Sequence, residues 1–279
     1  MPPSAYKHLV RKPTYGPLSV VVVGAGGNGG QMLTALARLS HALVAMGGRG
    51  LHVVCYDGDR VSRSNLARQP FYESDIGKYK AEVLIGRINA LYGFSWVAKS
   101  EMLSDESEFG SHWMVIGCVD SPSGRRQIHR HLTTERLGSN GSAPVSYWLD
   151  LGNRASIGQY IVGEPKRSVA KDYPLRLPTV MDLWPDLLDP SLDPQDDGPS
   201  CSMAEALERQ DLFVNTVLVS HAANLIWQMI RNPSILNHGG FVNLSSGRAT
   251  SLGVNVNEWK SFGYKAHRPL GKRSAELAA

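Results

Sequence analysis

Cysteine is scarce in this chain. Cys55, Cys118 and Cys201 are the only three, widely separated and without a CxxC pair, so neither a disulfide framework nor a four-cysteine zinc site can be built, and a structural zinc is not expected. No apolar run reaches the roughly 20 residues of a membrane-spanning helix, and MPPSAYKHLV carries no signal-peptide core. A cytoplasmic protein without a membrane partner is therefore expected. Charge is modest: 19% of residues are charged and the net charge is +4. Much of the basic excess sits at Lys7, Arg11 and Lys12 and at Lys265, Arg268, Lys272 and Arg273, so a specific nucleic-acid partner is not indicated. The pattern GxxxxGK[ST] is missing, because Gly29 is followed by Gly30 and Gln31, and that sets aside a kinase-like phosphate loop. There is no internal repeat.

The most informative stretch is VVVVGAGGNGG at residues 20–30, where four valines run into a glycine turn. Gly24, Gly26 and Gly29 fit GxGxxG. From Gln31 to Leu43, Met32, Ala35, Leu36, Leu39 and Leu43 fall on one helical face. Strand, glycine turn and helix is the context in which bare backbone and the positive helix end meet a phosphate. A nucleotide is the expected ligand. The helix should end near Gly47 and Gly48. A second strand, Leu51 to Tyr56, delivers Asp57 to a sheet edge, where it could accept ribose hydroxyls or merely cap a turn.

Polar sequence then runs from Val61 to Ala81, with a helix expected over 75–92 and a strand from Phe94 to Lys99. A stronger strand, His112 to Val119, ends on Asp120 and leads to a basic helix at about 125–137. Cys55 and Cys118 lie in strand-like runs and read as small buried hydrophobes. Repeated strand–helix alternation predicts an α/β fold, Rossmann-like, with a mainly parallel doubly wound sheet. From Val145 onward, VSYWLDL and GQYIVGE predict antiparallel strands in the C-terminal half. Residues 164–200 hold seven of the sixteen prolines and read as a long crossover over a site or partner. A helix over about 203–230, ended by Asn232-Pro233, and a hairpin from 241–244 and 251–256 complete the chain.

Between Gly24 and Asp120 the chain resembles the ThiF/MoeB/E1 superfamily of adenylyltransferases that activate ubiquitin-like and sulfur-carrier proteins. GAGGNG at 24–29, DGDRVSRSNLARQ at 57–69, DIGKYKAE at 75–82 and VIGCVDS at 115–121 carry the likeness. From Tyr147 to Glu164 and Ser200 to Ile230 it looks most like the ThiF-family protein of bacterial PRTRC gene systems. The resemblance implies ATP and Mg²⁺ as cofactors. It places Gly24, Gly26, Gly27 and Gly29 on the phosphates, Asp57 and Asp59 toward the ribose side, Asn65, Arg68, Gln69 and Lys80 around the triphosphate, and Asp120 on the metal. It implies an N-terminal arm (1–17), one adenylation domain (18–263, crossover 164–202) and a basic, flexible tail (264–279). Implied partners are a ubiquitin-like or ThiS-like carrier protein with a C-terminal Gly, an E2-like protein, and a second copy in a homodimer. In many relatives an N-terminal arginine in an RYxRQ-like stretch reaches the partner protomer's site. Here the N-terminus reads YKHLVRKPTYG, a poor match, with Arg11 the nearest candidate.

The chemistry fits these roles independently. A carboxylate attacking the α-phosphorus brings two anions together, which requires fixed positive charge and a hard cation. Arg68 offers a planar fork of donors, Lys80 a point charge and Asp120 a carboxylate. Cys201, between the crossover and the long helix, is a candidate acyl-accepting nucleophile, since a helix N-terminus lowers a thiol's pKa. Packing, or a relic of a zinc pair, are the alternatives for it. Two rival functions share the strand–GxGxxG–helix pattern. An NAD-dependent oxidoreductase has no evident use for Arg68, Lys80 and Asp120, and a non-catalytic E1-like binding module need not retain them.

Overall fold

The computed structural model describes residues 6–66, 68–104, 107, 109, 112–134, 145–165, 176–193 and 210–265. The four valines ending β2 (Leu18–Val23) are buried, as a β-branched run in a central parallel strand must be. Period-2 alternation divides them between two cores. Val20 and Val22 pack with Met32, Leu33 and Leu36 of α1 (Gly27–Ala45), whereas Val21 and Val23 pack with Ile128 and Leu132 of α3 (Pro122–Thr134). Each fully buried valine contributes on the order of 1.5–3 kcal/mol.

The remaining strands are β1 (His8–Leu9), β3 (Leu51–Tyr56), β4 (Val97–Lys99), β5 (Met114–Gly117), β6 (Tyr147–Arg154), β7 (Ile157–Gly163), β8 (Ser234–Ile235), β9 (Asn237–Asn243) and β10 (Arg248–Gly253). Eight of them form one sheet in the order β10-β9-β7-β6-β5-β2-β3-β4. From β4 to β6 neighbours are parallel, and from β6 to β10 they are antiparallel. β6 is the pivot. The mixed sheet is the expected one, mostly parallel and Rossmann-like with antiparallel strands in the C-terminal half. Other helices are α2 (Lys80–Tyr92), the single turn α4 (Val180–Leu183), α5 (Val214–Arg231) and α6 (Val256–Lys260). α5 packs against α1 and against β6, β7 and β9.

Several boundaries differ from the sequence expectation. α1 begins at Gly27 rather than Gln31, because close packing draws Gly27 and Gly29 into its first turn. α2 begins at Lys80 rather than 75: Asp75 caps a 3-10 turn by accepting from the Tyr72 N–H at 2.8 Å and holds that segment out of the helix. α5 begins at Val214, since Gln210 bridges to Ala155 and Asp211 N–H donates to Ala155 O at 3.1 Å. β4 is shorter than expected, and the closing hairpin is Asn237–Asn243 with Arg248–Gly253. The expected arm is partly docked: β1 pairs with β8 and His8 is buried. Cys201, the expected helix over 203–209 and the tail beyond 265 lie outside the described residues.

Candidate functional site

Parallel strands β2, β3 and β5 end at one edge of the sheet, and a cleft of about 1900 Å³ opens there, against roughly 300–1,000 Å³ for an ordinary small-molecule site. It has room for a nucleotide and a second substrate.

The glycine turn forms its floor, and its glycines differ in what requires them. Gly24 has φ +94°, and a Cβ there would meet Cys118 O at 2.9 Å. A Cβ on Gly29 would lie 1.8 Å from Gly24 O, and one on Gly27 would lie 2.4 Å from Asn215 Nδ2. These three are demanded by the protein's own packing. Around Gly26 the nearest atom to a Cβ would be Gln69 Nε2, at 3.9 Å, so its bare backbone faces the cleft. Gly26 is also the N-cap of α1, with no side chain capping the helix and no acid in its first turn. The first-turn N–H groups lack intrahelical partners, and with the helix dipole they make a seat for an anion.

Asp57 is buried. Its Oδ2 accepts from the Ala25 N–H at 2.5 Å and its Oδ1 from the Asp59 N–H at 2.8 Å, locking the glycine turn to the end of β3. Burial pushes its pKa up, while the Ala25 N–H and the charge of Lys80 pull it back. Lys80 is 7% exposed, with Nζ 2.8 Å from the half-exposed Asp59 carboxylate. Arg68 reaches the cleft and donates from Nη1 to Gln210 Oε1, while its Nε is buried without a hydrogen-bond partner. Burial lowers the Arg68 pKa, and the charge of Asp120 opposes this. Gln69 Oε1 and Asn28 Oδ1 are likewise buried without partners. Such groups are costly unless something satisfies them, and all three belong to residues lining the cleft.

Gly24, Gly26, Gly27, Asp57, Asp59, Arg68, Gln69, Lys80 and Asp120 thus meet at one cleft. Gly29 and Asn65 are not among its lining residues. Asn65 is buried, and its Oδ1 accepts from the Ser62 N–H at 2.9 Å, closing the 3-10 turn of Arg63–Asn65; it shapes the segment that presents Arg68. Asp120 is exposed. Among the described residues no three His, Cys, Asp or Glu stand together as a metal cage. Mg²⁺ needs none when phosphate oxygens complete its shell around one or two carboxylates, so Asp120 with a triphosphate fits that donor set. Cys118 packs against the core at the wall of the cleft; burial pushes its thiol pKa up, the Asp150 carboxylate adds to this, and the thiol is disfavoured as a nucleophile.

The structure adds residues that motif reading passed over. Arg125 of α3 donates from Nε to both carboxylate oxygens of fully buried Asp150, at 3.0 and 3.1 Å, and from Nη2 to Leu151 O at 3.3 Å. Burial raises the Asp150 pKa and Arg125 counteracts it. Asn28 Nδ2 donates to Asn153 Oδ1 at 2.7 Å, joining the glycine turn to β6. One sequence signal pointed here: Asp150 interrupts the apolar strand YWLDL, and a buried carboxylate requires a partner. Arg11 does not stand at the cleft. It lies beside Trp113 and Tyr147, at the starts of β5 and β6, with Nη2 2.6 Å from Glu164 Oε1.

Comparison with known proteins bears on the fold. No curated protein matches the chain. Among solved structures, E. coli MccB with ATP is similar at 16% identity and a TM-score of 0.52, covering 85% of this chain and 63% of that one. E. coli MccB with SeMet MccA is similar at 18% identity and a TM-score of 0.53, covering 85% and 64%. This chain therefore spans less than two thirds of the length of MccB, and the likeness is one of fold. Residues 16–148 match the sequence profile of the ThiF family. They contain the glycine turn, Asp57, Arg68, Lys80 and Asp120.

Proposed function

We propose that this protein is an ATP- and Mg²⁺-dependent adenylyltransferase that activates the C-terminal carboxylate of a small ubiquitin-like or ThiS-like carrier protein. The observation that carries the reading is the meeting, in one cleft, of the uncapped glycine turn with Arg68, Lys80 and Asp120. A carboxylate oxygen of the carrier attacks the α-phosphorus, the bond to the β-phosphate oxygen breaks, and pyrophosphate leaves. Gly26 and the first turn of α1 receive the phosphates, Arg68 and Lys80 offset their charge, and Asp120 would hold the metal. Bound Mg²⁺ supplies Lewis-acid stabilisation of the triphosphate. Asp57 has both oxygens engaged by backbone N–H groups, yet each retains a lone pair for a ribose hydroxyl.

The further steps follow from the resemblance. Cys201 thiolate would attack the acyl carbon of the adenylate, releasing AMP and forming a thioester that an E2-like protein could accept. A homodimer and membership of the PRTRC-system subgroup are part of the same reading, as is a cytoplasmic location. The presence of MccA with MccB in a solved structure supports a small substrate partner for the site. ATP–pyrophosphate exchange against candidate carriers ending in Gly-Gly is the test. Exchange dependent on one carrier is expected. No exchange with any carrier, together with binding of NAD tighter than Mg-ATP, would favour the oxidoreductase instead.

A further inference from the structure

Arg68 is held by an uncharged group. Among the described residues its guanidinium makes no ion pair, and its one side-chain partner is Gln210, whose Oε1 accepts from Nη1. Gln210 is itself fixed on two sides. Its Nε2 donates to Asn215 Oδ1 at 3.1 Å. Its backbone bridges to Ala155, and the Asp211 N–H bonds Ala155 O at 3.1 Å. Ala155 has φ +37°, the one positive-φ residue other than glycine among those described, so the chain accepts local strain at this point. Asn215, 2% exposed, lies against Gly27, where a Cβ would be 2.4 Å from Nδ2. An unbroken line of contacts thus runs from the β6–β7 turn through Gln210 to both Arg68 and the glycine turn.

We infer that Gln210 is a positioning residue: it orients the Arg68 guanidinium toward the phosphates while adding no negative charge of its own beside it. This rests on the nucleotide reading above. A carboxylate at the same place would orient Arg68 equally well but would form a charge-assisted pair with it and weaken its attraction for a polyanion. An amide orients without neutralising. The buried, unpartnered Arg68 Nε is what such an arrangement leaves available for a ligand oxygen.

The near-isosteric Gln210→Glu separates charge from shape, and Gln210→Ala removes the hold altogether. Calorimetric Kd values for Mg-ATP and for adenosine, with melting temperatures, are the readout. Gln210→Ala should weaken Mg-ATP binding about 3- to 10-fold, and Gln210→Glu by more than 10-fold at pH 7, the scale of losing one charge-assisted contact. Adenosine binding should stay at its wild-type value, because it does not depend on charge at the phosphates; melting temperatures, which fall with loss of the Gln210 Nε2–Asn215 Oδ1 bond, set the temperature at which both variants are fully folded for the titrations. Wild-type Mg-ATP affinity in both variants would overturn the inference alone. Equal losses for adenosine and Mg-ATP would reduce Gln210 to a structural role and overturn it as well. A wild-type protein that binds no Mg-ATP would overturn the nucleotide reading and this inference with it.

Discussion

Gly26→Ala and Gly29→Ala should have opposite consequences, although both glycines belong to one motif. At Gly29 an added methyl would sit 1.8 Å from Gly24 O and 2.8 Å from Gly24 C. Both atoms are backbone at the glycine turn, so the turn itself must move. Overpacking of this kind costs about 1–3 kcal/mol or more, which lowers the melting temperature by about 2–4 °C for each kcal/mol in a domain of this general size. At Gly26 the methyl would meet nothing nearer than 3.9 Å and would project into the cleft. Its φ of −77° and ψ of −145° fall outside the regions that alanine prefers, so the methyl adds backbone strain at the low end of about 1–3 kcal/mol but meets no atom. Gly26→Ala should therefore melt closer to wild type than Gly29→Ala does, and bind Mg-ATP at least tenfold more weakly, a loss of about 1.4 kcal/mol. Thermal melts and calorimetry on the two variants decide the matter. If Gly26→Ala unfolds as early as Gly29→Ala, or binds Mg-ATP like wild type, the division of the motif into packing and ligand-facing glycines is wrong.

Asp120→Ala and Lys80→Ala should each reduce carrier-dependent pyrophosphate exchange about 100- to 1000-fold, and the exposed Asp120 should cost no measurable stability; near-normal exchange would misplace the metal role. Asp150→Ala leaves Arg125 buried and unpaired, so urea denaturation should show a loss of about 3–5 kcal/mol, and a change below about 1 kcal/mol would refute the pairing argument. His238 is fully buried, its Nδ1 bonded to Val162 O at 2.7 Å, and burial lowers its pKa to about 4. Between its unfolded value near 6.5 and about 4, the unfolded chain binds a proton that the folded chain refuses, so this residue's contribution to stability is lost as pH falls through that window. His238→Asn keeps a donor for Val162 O and removes the titration. Its stability should fall less steeply over that range, by about one proton; Glu164 and Asp150, with raised pKa values, act alike in both proteins and cancel in the comparison.

Features written in consecutive residues were legible. A valine run before glycines gave β2 and the turn, and apolar runs ending on Asp57 and near Asp120 gave β3 and β5 together with two acids at one edge. SNLARQ and GKYKA indicated where positive charge would gather, and Arg68 and Lys80 do meet at the cleft. Side chains whose partners are distant in sequence were not legible. Arg125 looked like one base among several on an amphipathic helix, and its partner is 25 positions away. Gln210 and Arg68 are 142 positions apart, with nothing in either neighbourhood naming the other. Asn65 sits in a family motif, but its side chain serves a local cap that competes with a direct role. The two-residue strands β1 and β8 are too short to carry a periodic signal, so the docking of the N-terminal residues showed only in three dimensions.

Because β6 is parallel to β5 but antiparallel to β7, the β6–β7 and β9–β10 turns emerge at the same edge as the ends of the parallel strands. Arg154, Ala155, Ile157, Asn243, Ser246 and Arg248 line the cleft from these two hairpin tips. One half is built on a turn in which Gly24 and Gly29 are locked by backbone contacts and can scarcely vary, whereas the opposite half consists of hairpin tips, which tolerate substitution and insertion. The fold thus separates what must stay fixed from what can diverge. A library confined to the two tips would explore new acceptors without disturbing the glycine turn and the proposed nucleotide site.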